Sequence, residues 1–266
     1  MNLSKWDQRI VRAEALARDY SFAAEILRFY ARVAMLQKEL YQRFEPLEDD
    51  TRSLLTGNVS PQLSSSKFAE FVSEIETFAP PVVAAAARTL QAQGEDDRRN
   101  LLASNWQQAS QFEPTHDDAE ALILRMFLQP FAERLAENAA MRTEHRSFAV
   151  CPVCSAKPLV GVLRTEGDGA KRSLVCSVCL TEWPFRRLVC AACGEESVEK
   201  LPVYTAEQFK HIRVEACDTC RYYIKTVDLT KNGHAVPIVD ELASIPLNLW
   251  AQEHSYAKLR ANFLGI

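Results

Sequence analysis

The sequence predicts an α+β chain. An all-α N-terminal domain comes first, then two tandem four-cysteine β-hairpin units, then a closing C-terminal helix. Three observations predict this. Residues 1–147 hold no cysteine and repeat apolar residues at helical spacing. The rest alternates short Val- and Leu-rich runs with turn residues. That second part also holds all eight cysteines, as four Cys-x-x-Cys pairs: Cys151–Cys154, Cys176–Cys179, Cys190–Cys193 and Cys217–Cys220. The division is therefore 1–147 for the helical domain, 148–188 for the first unit and 189–266 for the second unit with its closing helix.

In Ser21–Phe44 the residues Ile26, Phe29, Val33, Leu36, Leu40 and Phe44 form one apolar helical face, with Ser21 placed to cap it. Pro46, Gly57 and Pro61 punctuate a break at Glu45–Gln62. A second stripe, Phe68, Phe71, Val72, Ile75 and Phe78, stops at Pro80-Pro81, and a proline at a first helical position can open the next helix, Val82–Ala92. Further helices are expected at Asp96–Gln111 and Asp117–Met141. In the latter Thr115 or His116 precedes an acidic first turn, Leu122, Met126, Leu128 and Leu135 build the apolar side, and Pro130 should kink or split the helix.

Helical periodicity gives way near Glu144–Val150. Pro158–Arg164 and Arg172–Cys176 read as strands joined by a Glu166-Gly167-Asp168-Gly169 turn. In the second unit Leu201–Tyr204, His211–Ala216 and Tyr222–Leu229 follow the same plan. Pro237–Tyr256 closes as a helix with Leu242, Ile245, Leu249 and Trp250 inward.

Two residues between thiols let both sulfurs face one ion from a tight turn, the knuckle of rubredoxin-like and zinc-ribbon sites. A tetrahedral ion takes two knuckles, so four knuckles make two sites. The intervening stretches are 21, 10 and 23 residues. The longer gaps fit hairpins that carry one knuckle back to another, and the short gap fits a linker. This groups Cys151, Cys154, Cys176 and Cys179 in one site and Cys190, Cys193, Cys217 and Cys220 in the other; an interleaved pairing makes worse use of the hairpins. Four disulfides are the rival, but those belong to oxidising compartments and small secreted domains. The charged start Lys5-Trp6-Asp7 does not suit a signal peptide, and no run is apolar enough to span a membrane. Four thiolates suit iron and zinc alike. Four protein ligands leave no open coordination position, which favours structural sites over metal-assisted hydrolysis, with one-electron iron chemistry the sharper alternative.

Other chemistry finds little support. His116, His145, His211, His234 and His254 are scattered and read as surface or core-satisfied, and no phosphate-loop or nucleophile-elbow motif occurs. Glu195-Glu196 and Asp240-Glu241 read as solvent-facing pairs or helix leads. Trp183 reads as packing over the hairpin between the sites, or as an aromatic platform which, with the small basic spot Arg186-Arg187, would form a partner-binding face. From residue 150 onward 14 Lys and Arg face 13 Asp and Glu, a poor footprint for a nucleic-acid backbone.

Several stretches resemble one family: Cys151-Pro152-Val153-Cys154; Leu174-Val175-Cys176-Ser177-Val178-Cys179-Leu180-Thr181-Glu182-Trp183; Cys190-Ala191-Ala192-Cys193; and Glu215-Ala216-Cys217-Asp218-Thr219-Cys220-Arg221-Tyr222-Tyr223-Ile224-Lys225. With Asp240-Glu241-Leu242-Ala243 and Asn262-Phe263-Leu264-Gly265 they resemble the FdhE formate dehydrogenase accessory proteins over about 115 residues. Ser155 stands where that family usually has glycine. The resemblance implies a cytoplasmic, non-enzymatic maturation factor for respiratory formate dehydrogenase. Such a factor would engage the molybdenum- or tungsten-dependent catalytic subunit before twin-arginine export. It also implies rubredoxin-type iron, with zinc as the alternative, on the eight cysteines, and no catalytic residue. A zinc-ribbon nucleic-acid binder and a rubredoxin-like electron-transfer protein are the other readings.

Overall fold

The structure, a computed structural model, describes residues 4–44, 65–108, 118–140, 149–262, 264 and 265. Its helices are α1 (Lys5–Asp19), α2 (Ala24–Arg43), α3 (Ser65–Glu76), α4 (Pro81–Ala92), α5 (Glu95–Gln108), α6 (Ala119–Ala140), α7 (Pro237–Ala243) and α8 (Ile245–Glu253). The strands are β1 (Pro158–Glu166), β2 (Gly169–Cys176), β3 (Glu182–Pro184), β4 (Val203–Thr205), β5 (Ile212–Ala216), β6 (Tyr222–Asp228) and β7 (Ala257–Lys258). The expected break at Glu45–Gln62, the caps at Thr115 or His116, most of the 144–150 boundary and His145 lie outside the described residues. Among the described residues no helix is long and apolar enough to cross a membrane.

Helix α1, which no expectation had named, opens on Ser4, whose hydroxyl accepts the Asp7 N–H at 3.2 Å. Ser21 does not cap α2; it begins a single 3-10 turn, Ser21–Ala23, that leads into the helix. Proline at the first position of α4 supplies a helical φ without sacrificing a needed donor. At α6 the cap is Asp118, which accepts the Ala121 N–H at 2.9 Å. Helix α6 is buried on nearly every side, because the other helices wrap it: Phe68 and Phe71 of α3 meet Phe127, and Phe44 meets Phe131 edge-on at 5.0 Å between ring centres.

Pro130 does not split α6. A proline lacks the N–H that would satisfy the carbonyl one turn back, here that of Met126. The buried Gln37 of α2 fills that role, donating its Nε2 to the Met126 oxygen at 2.8 Å. A neighbouring side chain thus replaces the missing backbone donor, and the helix runs through.

The strands form one sheet in the order β3-β2-β1-β6-β5-β4, with β7 parallel to the start of β6. The two hairpin units are therefore not merely in tandem: β1 pairs parallel with β6, Val160 opposite Lys225 and Gly161 opposite Thr226. Gly161 makes that contact possible, since a Cβ there would lie 2.2 Å from the Thr226 hydroxyl. One face of the sheet packs on α8 through Val214, Tyr223, Val227, Leu247 and Ala251. The closing helix is two short helices, broken at Ser244, and Leu249 points to solvent at 56 % exposure instead of inward.

Asp240 and Glu241 on α7 correct the solvent-facing expectation: each is only 1 % exposed. Asp240 accepts from Arg12 of α1 (Nε at 3.0 Å), from His211 at 2.8 Å and from the Val236 N–H at 2.7 Å. Glu241 faces Lys225 of β6 at 2.9 Å, with Lys258 of β7 and the Asn262 amide completing its shell. Burial alone would push the Glu241 carboxyl up, but the Lys225 and Lys258 ammoniums outweigh it and bring it down to about 2. Burial also drags the Lys225 ammonium below the usual lysine range, so the pair forms against a real desolvation cost.

Glu241→Gln should lower unfolding free energy by about 3–5 kcal/mol, since it leaves two ammoniums facing an uncharged amide in the core. Urea titrations of both proteins would measure this, and a difference below about 1 kcal/mol would refute it. The sign with pH follows from a depressed acid. Glu241 contributes stability fully above its unfolded value of 4.5 and loses it as pH falls toward about 2. The wild-type advantage over Glu241→Gln should therefore shrink in melts taken through that interval.

Candidate metal centres

The eight sulfurs gather into two groups, Cys151, Cys154, Cys176 and Cys179, and Cys190, Cys193, Cys217 and Cys220. Within each group all four lie within 4.8 Å of one another. The β1–β2 hairpin sets Pro158 opposite Cys176, which carries the second knuckle back to the first. In the second group β4 and β5 form the returning pair, and the fourth knuckle is the turn between β5 and β6.

All four knuckles share one backbone device. The residue after each second cysteine is left-handed: Ser155 at φ 61°, Leu180 at 55°, Gly194 at 79° and Arg221 at 61°. That reversal returns the chain so that each first-cysteine N–H donates to a carbonyl two residues past the second. The acceptors are Ala156, Thr181, Glu195 and Tyr222, at 2.9, 2.9, 2.9 and 3.0 Å. The N–H groups of Val153, Val178 and Ala192 meanwhile point at the sulfurs of Cys151, Cys176 and Cys190, at 3.4, 3.3 and 3.3 Å. Donors aimed at sulfur favour the thiolate. A left-handed non-glycine residue costs roughly 1–2 kcal/mol. Three knuckles bear that cost and only the third has glycine. Sequence reasoning singled out Ser155 but missed Leu180 and Arg221, although their position after Cys-x-x-Cys was the available signal.

The sulfur spacings suit a single tetrahedral ion. In the first cluster Cys151–Cys179, Cys154–Cys176 and Cys154–Cys179 lie 3.6, 3.4 and 3.5 Å apart. In the second Cys190–Cys220 and Cys193–Cys217 are each 3.7 Å apart. A metal–sulfur bond of about 2.3 Å implies tetrahedral edges of about 3.8 Å, whereas a disulfide would bring two sulfurs to about 2.05 Å. Burial pushes the Cys176 and Cys179 thiols up, while hydrogen bonds from Cys154, Cys176 and Cys179 pull Cys151 down. Four such thiols lose all their protons together only beside a cation. The donor set and its spacing thus fit a metal ion.

The surroundings of the two clusters differ. The first is wholly buried and belongs to the same apolar core as the helices, walled by Val153, Leu174 and Trp183. In the second Cys193 is exposed and Cys220 half-exposed, and neither belongs to an apolar core cluster. Glu195, expected to face solvent, ties the two knuckles of this cluster by accepting from the Thr219 hydroxyl at 2.6 Å and the Ser197 N–H at 2.9 Å. Trp183 is only 3 % exposed, so it cannot offer a partner-binding platform. The stacking energy its ring could give a partner is spent in the core instead. Arg186 and Arg187 stay at the surface, Arg186 paired with Glu196.

Comparison with known proteins bears on the whole chain. A family model described as "FdhE, central domain" matches residues 150–187, and one described as "FdhE, C-terminal domain" matches residues 188–264. A "Protein FdhE homolog" of Aquifex aeolicus is 37% identical over 150 residues, 56% of this chain and 53% of that protein, so the match spans about half of the relative's length. A homolog of the same name from Rhizobium meliloti is 26% identical over 97% of this chain and 89% of its own. The crystal structure of the FdhE protein from Pseudomonas aeruginosa superimposes with a TM-score of 0.75 at 24% identity, covering 99% of this chain and 97% of that one, a likeness of fold.

A mild chelator should remove metal from the exposed second cluster at least about tenfold faster than from the buried first, read as two phases of chelator absorbance. Release of both in one phase would contradict the burial difference. Cys176→Ser should empty the first cluster alone and Cys217→Ser the second alone, counted by metal analysis. Ser155→Gly should stabilise the chain by about 0.5–1 kcal/mol, as glycine's easier φ is partly offset by its entropy. Gly194→Ala should destabilise it by about 1 kcal/mol.

Proposed function

The chain belongs to the FdhE family, and from that premise we propose that it is a non-catalytic maturation factor for respiratory formate dehydrogenase. It acts in the cytoplasm by binding the catalytic subunit directly. The observation that carries this reading is the pair of four-cysteine clusters set in one sheet and locked to a helical body, a fold shared with the FdhE protein of Pseudomonas aeruginosa. In this reading residues 1–147 form the helical domain, and 148–188 and 189–266 form the two cysteine units. Cys151, Cys154, Cys176, Cys179, Cys190, Cys193, Cys217 and Cys220 are the metal ligands, for iron, with zinc as the alternative ion.

When bound, iron in four thiolates supplies a one-electron couple, whereas zinc supplies only cross-linking. The residues around the first cluster favour cross-linking. Its four ligands all come from the stretch Cys151–Cys179, so an ion there would staple the base of the β1–β2 hairpin, which sits inside the core that joins sheet to helices. The Thr181 hydroxyl, 3.2 Å from the Cys179 sulfur, and the amides of Val153 and Val178 fix the orientation of the sulfurs.

A strain lacking this protein should still make formate dehydrogenase polypeptide but show little respiratory formate oxidation, restored by the wild-type gene. Normal activity in the deletion strain would end the accessory reading. Metal analysis of anaerobically purified protein should find two equivalents, and the visible charge-transfer bands of ferric thiolate would distinguish iron from zinc.

A further inference from the structure

We propose that the groove between segment 187–192 and the strands β4, β5 and β6, beside the second cysteine cluster, docks a short peptide in which an apolar side chain stands next to a carboxylate. Strand register places Val203, Glu215 and Ile224 in one row across β4, β5 and β6. The reverse face of these strands is covered by α8. On the Val203 side the segment 187–192 borders the sheet, and a groove of about 290 Å³ runs between them. This volume lies at the lower end of ligand pockets, roughly 300–1,000 Å³, and suits one or two side chains better than a folded surface.

Two observations define the occupant. Leu188, Val203 and Tyr222 line the groove while 60, 52 and 40 % exposed, a clustering of large apolar groups that marks an interaction site. Its charge is one-sided: Arg172, Arg187 and Arg213 line it against the single carboxylate of Glu215. Both oxygens of Glu215 are already engaged, one by Arg172 at 2.5 Å and the other by Arg213 at 2.8 and 2.6 Å. The exposed Arg187 is therefore left to meet a charge brought from outside. An apolar slot with surplus positive charge at its rim selects a carboxylate beside a hydrophobic group and repels basic segments. A nucleic-acid strand would need a longer row of cations than this groove presents.

The test uses the metal-loaded full chain and three fluorescein-labelled octapeptides: alternating leucine and aspartate, leucine and lysine, and serine and aspartate. By fluorescence anisotropy the leucine–aspartate probe should bind at least about tenfold tighter than either counterpart. Leu188→Ser with Val203→Ser should weaken it at least about tenfold, and Arg187→Glu about three- to fivefold. All three positions are exposed, so far-UV circular dichroism and metal content should not change. Equal binding of the three probes, undiminished binding by the variants, or no binding of the leucine–aspartate probe would each overturn the proposal. The outcome does not depend on which protein carries such a segment, so it is separable from the formate dehydrogenase reading.

Discussion

Two adjacent carboxylates on a seven-residue helix set how the two halves of this molecule register against each other. Asp240 reaches back to Arg12 in the first helix and across to His211, while Glu241 reaches into the sheet to Lys225 and Lys258. Helix α7 is thus the junction at which the helical body meets the strands that carry the cysteines. Apolar contacts through Val239, Leu242 and Ala243 join the same surfaces, but on their own they would tolerate sliding. A buried carboxylate with three or four fixed donors tolerates none, because any displacement leaves a charge unpaired in a low-dielectric interior. The position of the first cluster against the helices follows from that registration.

The cysteine clusters were legible because their signal is local: two residues between thiols, and a hairpin-length gap between knuckles. The helices were legible for the same reason, as in the Phe68–Phe71–Val72–Ile75 stripe, which is buried as its spacing requires. What escaped was long-range. Asp240-Glu241 looks like any acidic pair on a surface helix, and its partner Arg12 stands 228 residues away. The merging of two hairpin units into one sheet left a single trace, a glycine inside an otherwise Val- and Leu-rich strand, which marks close backbone approach. Gly161 is that trace. Trp183 was ambiguous because an aromatic beside a metal knuckle can face either way, and only the packing around it decides.

The two clusters share a knuckle design but occupy different environments, and this separates what each can do. The first is sealed in apolar side chains, so its ligands exchange only when the core opens. The second lies nearer the surface, with Cys193 exposed, beside a groove whose wall includes Cys190. Repetition of a motif has thus not produced repetition of a role.

The parallel pairing of β1 with β6 also sets a timetable. A ribosome delivers the helical body and the first hairpin well before β6, and Arg12 waits longer still for Asp240. Until then the inner edge of β1 and the surface around α1 stand open, and unsatisfied strand edges invite wrong partners. The nascent chain is consequently at its most adhesive in the interval between emergence of its first and last strands. Slowing translation across that stretch would lengthen the exposure without altering a single residue.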